Sequence, residues 1–193
     1  ALFVTNALGY LPDLAHLRER CAGEGILLVE DNCESLGSEL PQGKAGNFGL
    51  AASFSFFVAH TMSTVEGGMA CTDDDELAEM LRMVRANGWD RNLTATQQAK
   101  WRTQYGITDE FAAKYTFYVS AYNLRPTEIT GFLGLQQLKH IEACIDERFV
   151  RFGSLELVAA GNPHFERLQR GHMKRLSPFA FSVLCKSAEL RDK

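Results

Sequence analysis

Ile26-Leu27-Leu28-Val29-Glu30-Asp31-Asn32 is an apolar run that ends abruptly in two acids and an amide. Four unbroken apolar residues, Ile26 to Val29, are the pattern of a strand covered on both faces, as in a parallel sheet. Just upstream, residues 13–24 place Leu14, Leu17 and Cys21 on one face of a helix, and Gly25 ends it. Pro12 stands where a helix can begin, after a loop over residues 6–12. Leu2-Phe3-Val4-Thr5 reads as an earlier strand. The order strand, helix, strand predicts an α/β fold with a parallel sheet. Ligands of such sheets gather beyond the C-terminal ends of the strands, where Glu30, Asp31, Asn32 and Glu34 fall.

Downstream, residues 37–49 are glycine-rich and polar, a loop, and residues 50–57 (LAASFSFF) are another strand. Residues 61–68 form a turn containing Glu66-Gly67-Gly68, and residues 69–72 a short strand. Asp73 to Asp75 place acids where they suit a helix dipole, and that helix is expected to reach about Arg85. Residues 87–122 have weak periodicity and read as a long excursion with short helices, functional or interfacial in character. A long helix is expected from about Pro126, with Leu133, Leu135, Leu138 and Ile141 among its apolar positions. It either breaks near Arg148 or continues toward Val158. Residues 179–184 (FAFSVL) read as a further strand.

Composition narrows the function classes. The chain has 193 residues, 46% of them hydrophobic, and a formal net charge of −4. That length suits one domain, or one domain and part of a second. No long basic run exists to track a nucleic-acid backbone. The densest basic cluster, Arg167, Arg170 and His172 to Arg175, reads as a solvated face. No segment approaches the ~18 apolar residues that a membrane span needs. Cys21, Cys33, Cys71, Cys144 and Cys185 match neither a zinc ribbon nor a redox pair. They suggest reduced thiols in a cytoplasmic protein, and no metal site is expected. Ala1 is followed by an apolar run without a basic n-region, so a signal peptide is not expected from these residues.

Three constellations carry chemistry. Asp31, at a strand end, caps a loop in one reading. In the other it keeps a pyridine-type nitrogen protonated, so that the ring draws electrons from a neighbouring carbon. Ser55 and His60 flank the end of the next strand. Ser55 either caps the loop or donates to a phosphate oxygen. His60 either packs against aromatic rings or moves a proton near neutral pH. Gly67 and Gly68 permit a tight turn or a close backbone approach.

Several motifs together are more specific than any one. They are Leu8-Gly9 with Pro12-Asp13, the run Glu30 to Gly37, Gly46-Asn47-Phe48-Gly49, Ser53 to Gly68, Tyr122 to Glu128, and Gly134 to Leu138. Along nearly its whole length the chain resembles the DegT/DnrJ/EryC1/StrS family of sugar aminotransferases, fold-type I pyridoxal-phosphate enzymes. The resemblance implies an aspartate aminotransferase-like α/β fold, a mostly parallel sheet flanked by helices. Residues 1–122 would be the C-terminal-side half of the large cofactor-binding domain. Residues 123–193 would be a linking helix and the start of a small α/β domain. The family's first strands and its early phosphate-binding turn would precede Ala1, so an N-terminally incomplete chain is expected.

The resemblance also implies roles. Asp31 would pair with the cofactor's ring nitrogen and Ser55 would bind its phosphate. Glu34, where the family often has glutamine, would lie close to the cofactor, as in the dehydratase branch. Asn123 would reach the phosphate of the neighbouring subunit, which implies a homodimer with shared active sites. Arg125 would meet an anion or serve as a salt-bridge partner. The family places its cofactor lysine six residues before the glutamate of Glu-Gly-Gly, and here that position is His60. An imidazole cannot form the covalent link that a lysine amine forms.

This departure resembles the branch that removes the C3 hydroxyl of nucleotide-linked 4-keto-6-deoxyhexoses. His60 would move protons there, with pyridoxal or pyridoxamine phosphate as cofactor and L-glutamate as amine donor. The segment His60 to Met69 implies GDP-4-keto-6-deoxy-D-mannose as substrate, on the way to colitose in O-antigen lipopolysaccharide. Thr61 departs from the second histidine found in that subtype, which puts the substrate's identity in question. An iron–sulphur-dependent 3-dehydratase remains an alternative, although the chain has no C-x-C or C-x-x-C pair. A non-catalytic nucleotide-sugar-binding relative and an unconventional aminotransferase remain alternatives as well.

Overall fold

The computed structural model describes residues 1–192. Its elements are β1 (Leu2–Thr5), α1 (Leu14–Gly23), β2 (Leu28–Asp31), β3 (Glu39–Leu40), β4 (Gly43–Lys44), β5 (Ala51–Ser55), β6 (Gly68–Cys71), α2 (Asp75–Val84), α3 (Ala95–Gln104), α4 (Glu110–Ala113), α5 (Glu128–Leu138), α6 (Ile141–Ala160), β7 (Phe165–Glu166), β8 (Leu184–Cys185) and α7 (Ala188–Arg191). The chain divides into two compact units. One comprises Ala1–Cys71 and the segment from Glu128 onward, and the other is Thr72–Thr127.

The first unit is built on a four-stranded sheet of order β1-β2-β5-β6. β1, β2 and β5 are parallel, and β6 returns antiparallel to β5. The mostly parallel α/β sheet read from the sequence is present. Asp13 caps α1, its carboxylate accepting from the His16 N–H at 3.0 Å. The expected apolar face is also there: Leu14 and Cys21 are buried with Leu11, Leu28, Leu40 and Phe48, and Leu17 packs against them.

The run that decides the fold is not covered on both faces as expected. Ile26 is 42% exposed and Leu27 57%, whereas Leu28 is 4%. Ile26 N–H bonds back to Cys21 O at 2.8 Å, so residues 25–27 complete the exit from α1 and the strand begins at Leu28.

Two further expectations need correction. The long helix is broken at residues 139–140, because His140 N–H bonds to Gln137 O at 2.9 Å in a tight turn. It then runs unbroken through Arg148 to Ala160. Residues 179–184 form no extended strand. Phe179 N–H turns to Leu8 O, and only Leu184–Cys185 pairs, with Phe165–Glu166. The basic cluster does lie on a solvated face, with Arg167, His172 and Lys174 exposed, and acids pair with it there: Arg170 with Glu156, Lys174 with Glu39, and Arg175 with Glu142 and Asp146.

The second unit has its own core of Met83, Leu93, Trp101 and Tyr118. The excursion 87–122 is thus a folded element. Thr94 opens α3 with a reciprocal cap to Gln97. The Asp90 carboxylate, 1% exposed, accepts from Arg102 Nε at 2.8 Å.

The tightest polar centre of the first unit is Glu30. Its side chain is fully buried. Oε1 accepts the N–H groups of Phe48 and Gly49 at 2.8 and 2.9 Å, and Oε2 accepts that of Gly46 at 2.8 Å. In Glu30→Gln, the amide at the Oε2 position would point hydrogens at the Gly46 N–H. Charge-assisted hydrogen bonds contribute ~1.5–3 kcal/mol each, so urea denaturation should show a loss of about 2–4 kcal/mol. An unchanged midpoint would refute the anchoring role.

Candidate functional site

Two adjacent parallel strands end together. Asp31 is the last residue of β2 and stands opposite Ser53 of β5, two residues before Ser55. Side chains two apart on a strand share a face, so Ser53 and Ser55 project on one side. Ser53 Oγ donates to Asp31 Oδ1 at 2.9 Å, and Cys33 N–H donates to the same oxygen at 3.1 Å. The Asp31 carboxylate is therefore held in a fixed orientation at the sheet's C-terminal edge. Ser55 Oγ accepts from Phe57 N–H at 3.3 Å, so its own hydroxyl hydrogen remains able to donate.

The turn after β2 is set by buried amides. Asn32 Oδ1 accepts from Asn6 Nδ2 at 2.7 Å and from Ser35 Oγ at 2.8 Å. This turn presents the Cys33 carbonyl to His60 Nδ1. A carbonyl only accepts, so Nδ1 carries a proton, and in the neutral ring Nε2 is then the nitrogen with the lone pair. The ring lies edge-on to Phe57, with centroids 6.1 Å apart, and tilted against Phe179 at 5.1 Å. Both readings of His60 thus meet in one geometry: the imidazole packs against aromatics and still offers one nitrogen.

Glu34 is tied to the neighbouring loop. Its Oε2 accepts the N–H of Leu8 at 2.7 Å, and Leu8 holds a φ of 57°. The glycine pair has a steric cause. A Cβ on Gly67 would meet Thr64 Oγ1 at 2.3 Å, and one on Gly68 would meet Phe54 O at 2.9 Å. β6 can therefore return directly past β5, closing the 56–67 loop that carries His60.

Asp31, Glu34, Ser55 and His60 all lie in the first unit, while Asn123 lies in the second. Asn123 bridges to Ala86, and its Oδ1 accepts from Arg125 Nε at 3.2 Å. Among the described residues no group of His, Cys, Asp or Glu could hold a metal ion. No described helix is long and apolar enough to cross a membrane.

Sequence reasoning missed three contributors. The Cys33 carbonyl is invisible to motif reading because it is backbone. Phe179 and Arg148 lie far along the chain. Arg148 donates to Thr61 Oγ1 at 3.3 Å and to Phe179 O at 3.1 Å. No local spacing links residues 61, 148 and 179.

The Cys33 thiol beside Asp31 is pushed up to about 11, first by burial and then by the Asp31 charge, with Glu34 adding to it. It is a neutral bystander at physiological pH. Alkylation by iodoacetamide at pH 8 should be slower at Cys33 than at the exposed Cys144, and the Cys33 rate should still be rising at pH 10. Fast labelling of Cys33 at pH 8 would contradict this placement.

Comparisons with known proteins show the family to which the chain belongs. The family model of the DegT/DnrJ/EryC1/StrS aminotransferases matches residues 1–193. The GDP-4-keto-6-deoxy-D-mannose 3-dehydratase of Yersinia pseudotuberculosis is 33% identical over 188 residues, 97% of this chain and 47% of its own. Its namesake from Escherichia coli O55:H7 is 37% identical over 148 residues, 77% of this chain and 37% of its own. The solved E. coli GDP-4-keto-6-deoxy-D-mannose-3-dehydratase with bound hydrated PLP superposes with a TM-score of 0.81 at 32% identity. That match covers 96% of this chain and 46% of the solved one. The chain thus spans about half the length, or less, of the relatives it matches. With the family model matched from end to end, the chain belongs to the DegT/DnrJ/EryC1/StrS aminotransferase family.

Proposed function

We propose that the protein containing this chain removes the C3 hydroxyl of a nucleotide-linked 4-keto-6-deoxyhexose. GDP-4-keto-6-deoxy-D-mannose is the substrate, and pyridoxal and pyridoxamine phosphate are the cofactor forms. L-Glutamate is the amine donor. The observation that carries the reading is His60, an imidazole in the loop after β5, fixed by the Cys33 carbonyl just beyond Asp31, where the family's lysine is expected.

The donor set fits the cofactor. Asp31 supplies a carboxylate held by Ser53 and Cys33 N–H, suited to a protonated ring nitrogen. Ser55 supplies a hydroxyl at the end of β5, suited to a phosphate oxygen. Bound there, the cofactor supplies a ring that accepts an electron pair from the adjacent carbon. His60, held through Nδ1, would offer Nε2 to take up one proton and to return one to the departing C3 oxygen. An imidazole can both accept and donate a proton near neutral pH. With no lysine amine at position 60, nothing there recaptures the cofactor covalently.

In this reading Asn123 serves the partner's site in a homodimer with shared active sites. Residues 1–122 belong to the large cofactor-binding domain, and 123–193 lead into the small one. The enzyme is cytoplasmic, and its product feeds dideoxysugar synthesis for O-antigen, with colitose as the end product. The GDP-sugar dehydratases at 33% and 37% identity support this substrate over others.

The test loads the whole protein with pyridoxamine phosphate and adds GDP-4-keto-6-deoxy-D-mannose and excess glutamate. Mass spectrometry should show loss of the C3 hydroxyl oxygen, with 2-oxoglutarate formed. His60→Asn should lower turnover by about 10²–10⁴-fold. Amine exchange without sugar turnover would point to another nucleotide sugar. Neither activity would favour a non-catalytic relative.

A further inference from the structure

α6 is pinned to the turn that carries Cys33. Ile145, 1% exposed, fills the space beside Gly37, where an added Cβ would lie 2.4 Å from its Cδ1. Arg148 follows three residues later, on the same side of the helix. Its two terminal nitrogens donate to two different segments, to the Thr61 hydroxyl at 3.3 Å and to the Phe179 carbonyl at 3.1 Å. The guanidinium also lies 5.8 Å from the Phe179 ring centroid. Thr61 directly follows His60 in the chain, and the Phe179 ring covers the imidazole at 5.1 Å. One planar fork thus ties the side chain next to His60 to the wall in front of the imidazole.

We propose that Arg148 is a positioning residue for His60: by holding Thr61 and Phe179 together, it keeps Nδ1 on the Cys33 carbonyl and leaves Nε2 as the nitrogen with the lone pair. Its weight in catalysis rests on the function proposed above. Its effect on the imidazole does not. Three features favour a positioning role over simple packing. The contacts are directional, they converge on the two neighbours of one imidazole, and neither acceptor is an acid with which Arg148 would merely pair. A lysine has a single ammonium and cannot span both acceptors with a planar fork.

Nitrogen-15 NMR of the imidazoles in the whole protein, without added cofactor, tests this directly. The His60 signals are identified by their loss in His60→Asn. The wild type should show the Nδ1–H tautomer. Arg148→Met should give a mixture of tautomers, and Arg148→Lys should recover part of the wild-type pattern. Thr61→Val, which removes one acceptor and leaves the guanidinium in place, should shift the pattern less and in the same direction. Arg151→Met, which breaks only an exposed pair with Glu147, should change nothing at His60. In turnover, Arg148→Met should lower kcat on the order of 10²-fold with KM little changed.

An unshifted His60 tautomer in both Arg148→Met and Thr61→Val would overturn the proposal, even with a lowered thermal midpoint. A tautomer that depends on Arg148 in a wild type that turns over no sugar would support the positioning role and overturn the reading of function.

Discussion

The Glu30 carboxylate sits at 0% exposure, and the chain folds around it. Burying an ionised carboxylate costs several kcal/mol unless donors replace its water. Here three backbone N–H groups do so, those of Gly46, Phe48 and Gly49, with Asn6 Nδ2 more distant at 3.5 Å. All three backbone donors belong to the segment that leads into β5. Gly49 passes so close to β2 that a Cβ there would meet Leu28 O at 2.7 Å. Fixing this segment fixes the register of β5 on β2, with Val29 opposite Ala51 and Asp31 opposite Ser53. The spacing between the Asp31 carboxylate and the residues after β5 follows from that register.

Above this anchor, the site is held largely by main chain. The Cys33 amide orients Asp31, and the Cys33 carbonyl takes His60 Nδ1. One residue thereby fixes a carboxylate and an imidazole through groups that substitution of its side chain leaves in place. Its thiol stays protonated between Asp31 and Glu34. Arg148 and Phe179 close the arrangement from the far end of the chain. The imidazole is thus confined between two aromatic rings while one nitrogen stays available.

The second unit has the character of a small independent core. Asp90 accepts from Arg102 and Tyr118, and Trp101 Nε1 donates to Glu79, 6% exposed. Backbone bonds from Tyr122 N–H to Val84 O and from Leu124 N–H to Arg85 O hold the segment carrying Asn123 against the end of α2. A stretch with weak periodicity is therefore well ordered, because its aromatic residues pack by tertiary contact and its polar ones pair across 12–28 positions.

The sequence by itself determined the strand–helix–strand order, the face of α1, the acids at the end of β2, and the histidine six residues before Glu66. Each is local: apolar period, capping chemistry and motif spacing act within about a dozen residues. It misjudged Ile26 and Leu27, where hydrophobicity alone does not say which residues finish the helix exit. It also missed the break at residues 139–140. Tertiary structure alone decided the tautomer of His60, the tie of Glu34 to Leu8, and the fork from Arg148 to Thr61 and Phe179. Those depend on backbone groups and on contacts between residues 26 to 87 positions apart. No periodicity encodes such separations, because they follow only once the sheet and helices have brought the segments together.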